Sequence, residues 1–162
     1  MTRHLIAITD GLSKAFAVVA VLLLIAAMLV ICQMVFSRYI FRWPTIWQTD
    51  FVIYAATAAV FLGAPYVLLT KGHVGVDVIE TVVQPRTKRV LRYIGSALGL
   101  TFCATMFIAS WMYFHEAWDE GWTTSSLWRI PLWIPVLPML IGFGLLCLQY
   151  LAEILKLKDA EP

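Results

Sequence analysis

The side chains able to do acid–base, nucleophilic or metal chemistry in this chain are three histidines, three cysteines and ten carboxylates among 162 residues. A haem would need histidines on facing helices at a common depth, but His4, His73 and His115 fall near the beginning, middle and last third of the chain. The densest cluster is His115-Glu116 with Asp119-Glu120. It lacks the second histidine of a His-Glu-x-x-His zinc helix and reads as a solvated acidic patch. Glycine-rich phosphate loops and a serine set between glycines in a nucleophile elbow are both missing. Cys32, Cys103 and Cys147 are odd in number and spread along the chain, which argues against a disulfide framework and for small buried hydrophobes. No enzyme and no cofactor are expected.

The elements that must position these groups follow from what separates the charges. Hydrophobic residues make up 61% of the chain and charged residues 14%, with a formal net charge of +2 and a mean hydropathy of +0.82. Soluble domains carry about a quarter charged residues, so a water-soluble globule, a nucleic-acid binder and a disordered chain are excluded. Charge-free runs of 20–23 residues lie between Lys14 and Arg38, Asp50 and Lys71, Arg92 and His115, and Arg129 and Glu153. The hydrocarbon core is about 30 Å thick and a helix rises roughly 1.5 Å per residue, so each run can span it. Their continuous apolarity does not fit the alternation of barrel strands. The prediction is an all-α, integral membrane four-helix bundle in a single domain 1–162, with helices at about 15–36, 51–70, 93–114 and 130–152. The first apolar stretch, Ala15 to Phe36, is longer than a signal peptide's apolar region and no small-residue cleavage site follows it, so it is read as retained.

Nine of the twelve lysines and arginines lie in the N-terminal arm, the central loop and the C-terminal tail, whereas the other two loops hold Arg38, Arg42 and Arg129. Positive charge stays in the cytoplasm, which places both termini and the central loop inside. The seven tryptophans gather toward the opposite face, as rings with one polar edge do at a headgroup layer.

Helices in lipid approach most closely at small residues. Ala55, Ala59 and Gly63 recur every four residues on the second helix, and Gly95, Gly99 and Cys103 on the third; both stripes are expected to be helix-packing faces. Gly63-Ala64-Pro65 is expected to kink the second helix, and Pro131, Pro135 and Pro138 crowd the start of the fourth. No Asp, Glu, Lys or Arg falls within the four runs. Ion pathways and charged-substrate sites place ionisable groups at mid-membrane, so a self-sufficient secondary transporter, including a small multidrug exporter with its embedded glutamate, is disfavoured. A membrane anchor for a respiratory complex and an independent small transporter are the alternatives from other classes.

Three segments carry more character than an anchor needs. Phe36 to Asp50 surrounds a proline turn with Arg38, Arg42 and aromatic rings, and Asp50 suits the first turn of the next helix, where a carboxylate meets the positive end of the macrodipole. Lys71 to Val83 places Val76, Ile79 and Val83 on one face of a short interfacial helix, with Asp77 and Glu80 spaced as a capping box and Pro85 ending it. Trp128 to Pro135 enters the last helix.

Arg38-Tyr39, the Trp47 to Asp50 spacing, Phe61-Leu62-Gly63, Gly72-His73-Val74 to Asp77 and Ile130-Pro131-Leu132-Trp133, in this order across four helices, resemble the small membrane subunit of tripartite ATP-independent periplasmic (TRAP) transporters. The resemblance covers about Ala15 to Gln149. It implies a non-catalytic scaffold, in a bacterial inner membrane, that braces a large membrane subunit carrying the substrate and sodium sites, while a periplasmic substrate-binding protein captures an organic acid. The partners it implies are these two proteins and membrane lipids, with no nucleic acid. On this reading Arg38, Tyr39, Trp47, Asp50, His73, Asp77 and Trp133 face a partner subunit or lipid, and Trp43, Trp47, Trp118 and Trp122 form an outer surface for the binding protein. Two positions depart from the family pattern: Asp50 stands where glutamate is common, and Gly142 comes later after Pro138 than is usual.

Overall fold

Within hydrocarbon, a stretch of backbone can satisfy its own polar groups as a helix. The computed structural model of the chain is built this way: α1 spans Thr2–Phe36, α2 Trp47–Leu69, α3 Pro85–Asp119 and α4 Trp133–Asp159. It describes the backbone of residues 2–70 and 85–159 and the side chains of residues 6–70, 90, 91 and 93–156. The interfacial helix expected around 76–83, with His73 and Asp77, lies outside the described residues. Four helical stretches, Ile6–Phe41, Trp47–Leu69, Tyr93–Asp119 and Trp133–Lys156, are long and apolar enough to cross a membrane.

The helices outrun the charge-free segments that announce them, for local reasons. α1 extends back through Asp10 because that carboxylate is paired across the bundle with Lys156. α3 does not stop at 114 but continues through Asp119, since His115 Nδ1 meets Asp119 Oδ2 at 2.8 Å one turn on and Ala117 is fully buried. α4 begins at Trp133 because the residues just before it pair back with the start of the α3–α4 loop, Pro131 opposite Thr123. α2 runs unbroken through the buried Pro65.

α1 packs on α2 and more lightly on α4, α2 packs on α4, and α3 packs on the far side of α4. α4 is thus the common neighbour. The buried positions recur at seven-residue spacing on every helix: Ser13, Ala20 and Ala27 on α1; Gln48, Ala55 and Leu62 on α2; Cys103, Ser110 and Ala117 on α3; Gly142 with Gln149, and Leu145 with Ala152, on α4. A seven-residue repeat keeps two helices in register when they cross at about 20°. Small side chains at most of these seam positions let backbones come close, which is how helices associate without a hydrophobic driving force between them. Ala20, Ala59 and Leu62 form the central cluster, flanked by Phe16, Leu23 and Ile141.

Candidate functional site

The expected helix-packing residues divide. Ala55 and Ala59 are buried, and a side chain added at Gly63 would reach ordinary contact with Ala20 of α1 at 3.5 Å. Gly99 lies under the ring of Tyr150 on α4. Gly95, by contrast, faces open space. The seam on α3 follows Cys103, Ser110 and Ala117, and stepping back seven residues from Cys103 reaches Ser96. Gly95 stands one residue off that line, about 100° around the helix. Cys32 likewise faces outward, Cys103 is buried and Cys147 half-buried, and all three are free thiols. Gly142 marks a close approach of two backbones: a Cβ there would sit 2.5 Å from the carbonyl oxygen of Phe61. The late position of this glycine in α4 is therefore where α2 crosses it.

Away from the termini, the loops shape a second region. After Phe36, α1 widens into a π-helical turn, Ser37–Phe41, ended by Arg42 at φ 51°. Ser37 is buried, its hydroxyl accepts a bond from Gln33 Nε2 at 3.0 Å, and its carbonyl accepts from Trp43 N at 3.4 Å. The widened turn swings Arg38 toward the following loop, where its guanidinium donates to Thr45 Oγ1 at 2.6 Å. Tyr39 is left 82% exposed, and Trp43 stacks on Phe41 at 5.0 Å while keeping most of its surface open. Asp50 is in the first turn of α2, half-buried.

Between α3 and α4, Gly121 at φ 62° and Arg129 at φ 46° turn the chain back on itself. Thr124 N donates to Ile130 O at 2.9 Å and Leu132 N to Trp122 O at 2.8 Å, while Thr124 Oγ1 accepts from Ile130 N at 3.1 Å. This small hairpin carries Trp128 to Trp47, 6.1 Å between ring centroids, and so ties the α1–α2 loop to the α3–α4 loop. Trp133 meets Trp118 edge-to-face at 5.0 Å. Of the residues expected at a partner surface, Arg38 and Tyr39 point outward, whereas Trp47 and Trp133 are engaged in contacts within the chain.

At the end bearing the termini stands a polar group that the reading of runs did not single out. Ser13 Oγ donates to Gln149 Oε1 at 3.1 Å, and Gln149 Nε2 donates to Asp10 Oδ1 at 3.2 Å. Lys156 Nζ reaches both oxygens of the same carboxylate at 3.1 and 3.0 Å. Ser13 and Gln149 are almost wholly buried, at 0% and 1% exposure. The signal was present: Gln149 is the only amide side chain in the fourth run, and such a group in lipid needs a partner on another helix. Its partners lie on α1 136 and 139 residues away, beyond the reach of local spacing.

None of these arrangements is a reaction centre. Among the described residues no group of three His, Cys, Asp or Glu side chains could hold a metal ion. His115 and Asp119 form an exposed pair on one helix. The polar contacts described between α1 and α4 join one helix to the other.

Residues 27–159 match the family of the DctQ component of tripartite ATP-independent periplasmic transporters. The chain belongs to this family. It is 25% identical over 138 residues to the C4-dicarboxylate TRAP transporter small permease protein DctQ of Vibrio cholerae serotype O1. That match covers 72% of this chain and 60% of the relative, so the chain spans less than two thirds of that relative's length. No solved structure matches the chain. With four helices of spanning length and this membership, it is a multi-pass membrane protein.

Proposed function

We propose that this DctQ-family chain is the small, non-catalytic subunit of a sodium-coupled, binding-protein-dependent importer of organic acids. It sits in the bacterial inner membrane as a single domain with both termini in the cytoplasm, and it braces the large subunit that moves the substrate. One observation carries this reading: the charge-free runs hold no fixed ion, and the buried polar side chains described between α1 and α4 bind each other. Ion pathways and charged-substrate sites usually place an ionisable group at mid-membrane, and these runs supply none. The chain's contribution is then mechanical, a fixed frame against which a moving domain of the partner can rock. Arg38 and Tyr39, open at one end, and His73 and Asp77 in the central loop are the residues assigned to contacts with the large subunit. Trp43, Trp118 and Trp122 form the face offered to the substrate-binding protein.

Reconstitution tests this directly. The chain isolated from native membranes brings down a large membrane protein in equal amount, and proteoliposomes holding both, supplied with the binding protein and a sodium gradient, accumulate a dicarboxylate. Omitting this chain abolishes uptake. Transport by this chain alone, or a haem band in the purified material, overturns the assignment.

A further inference from the structure

The end of the bundle that carries the termini presents two described lysines in opposite circumstances. Lys156 is neutralised by Asp10 at 3.0 Å. Lys14, one turn further along α1, is exposed and has no carboxylate partner among the described residues. It closes one end of a shallow groove of about 360 Å³ between α1 and α2, whose walls are Ala17, Val18, Val21, Leu22 and Tyr66. That volume lies within the roughly 300–1,000 Å³ of ligand sites.

The depth of each wall residue decides what fits. Lys14 is the last charge before the first apolar run, and Tyr66 lies near the end of α2, so the ammonium and the phenol are both at the level of lipid headgroups. From there the groove follows α1 to Leu22, a rise of about 12 Å into hydrocarbon, past side chains with no polar atom. A cation with no carboxylate partner among the described residues, above an apolar groove, is complementary to a molecule with an anionic head and an aliphatic tail. A second helix laid in the groove would bury the ammonium against apolar surface unless it brought its own carboxylate to that depth.

We propose that this groove binds one anionic phospholipid, its phosphodiester on Lys14 and Tyr66 Oη and one acyl chain along Ala17, Val18, Val21 and Leu22. The site needs only the membrane setting and stands apart from the transporter assignment, so either can fail without the other. A net anionic headgroup is selected because a zwitterionic lipid carries its own ammonium, which competes for the phosphate.

The test uses the full chain together with whatever membrane partner it is isolated with, delipidated and titrated with phosphatidylglycerol or phosphatidylcholine, with retained lipid read by native mass spectrometry. One phosphatidylglycerol is retained in preference to phosphatidylcholine. Lys14→Ala weakens retention about fivefold, Lys14→Arg preserves it, and Val18→Trp, which fills the groove beneath an intact Lys14, removes it. A photo-crosslinker at Val21 labels lipid. Because Lys14 is exposed, the helix content of Lys14→Ala stays at the parent value. Equal retention of the two lipids, an unchanged Lys14→Ala, or crosslinks from position 21 running to a polypeptide would each overturn the proposal.

Discussion

The two ends of the molecule face the same task with different means. At the end bearing the termini, α1 and α4 are joined by buried hydrogen bonds and an ion pair through Ser13, Gln149, Asp10 and Lys156. At the other end, rings and a hairpin do it: Trp47 on Trp128, Trp118 on Trp133, and Thr124 pinning the α3–α4 loop. The covalent chain explains the contrast. Away from the termini, α1 is linked to α2 and α3 to α4 by short loops, so the helix ends are already close and only moderate side-chain contacts are needed to align the two pairs. At the terminal end, α1 begins and α4 finishes with no connection between them. Helices in lipid gain nothing from hiding apolar surface from water, so a directional polar link is what adds to the close packing of small residues there. The exposed Tyr39 and Trp43 show that the aromatic end also keeps rings for the headgroup layer.

The strongest way to break this comparison is to disturb the crossing that holds both ends in one frame. Gly142→Leu drives a side chain into the Phe61 carbonyl and is expected to cost about 3 kcal/mol, seen in denaturant unfolding in detergent as loss of the cooperative transition at both ends together. Gly63→Ala, with room against Ala20, leaves that transition in place. Next in size is the polar end: Gln149→Leu strands Ser13, leaves Asp10 with Lys156 alone and should lose about 1–2 kcal/mol, with amide exchange rising at the start of α1 and the end of α4 but not at the hairpin. Trp118→Ala removes the edge-to-face contact with Trp133 for about 1 kcal/mol and shows the reverse exchange pattern. Combined with Gln149→Leu it is expected to be additive, because the two sites share no partners and lie at opposite ends of the spans; a coupling above about 0.5 kcal/mol would mean that the ends are not independent. The smallest effect is at Lys156→Met, where the pair with Asp10 is about a third exposed to solvent and its loss should cost less than about 1 kcal/mol. A larger cost there would move the weight of the polar end from Gln149 to the ion pair.

How these elements read in one dimension follows from the range of each interaction. The four helices are legible because a charge in hydrocarbon is costly, so their absence over 20–23 residues marks each span. The α2 stripe through Ala55 and Ala59 was legible for a similar reason, since small residues at helical spacing have few uses in lipid other than close contact. The α3 stripe was legible only in part: Gly99 lies against Tyr150, but Gly95 does not lie on the seam, because a four-residue repeat drifts around the helix whereas the contact follows seven. Arg38 was noticed by its type, yet its bond to Thr45 depends on the π turn that rotates it, and no residue pattern announces that widening.

The chain's composition and charge spacing alone determined an all-helical membrane protein of four spans, since the bilayer imposes a length and a polarity that can be counted residue by residue. The order of short residue groups along its helices and loops was enough to indicate the TRAP small-subunit family. Which helix becomes the common neighbour, where Gly142 meets the backbone of α2, that Gln149 binds partners more than 130 residues away, and that Lys14 stands at the end of an apolar groove were decided only in three dimensions. Each of these depends on which faces meet, and between helices of similar apolarity that choice comes from close packing and a few directional bonds, neither of which has a local period along the chain.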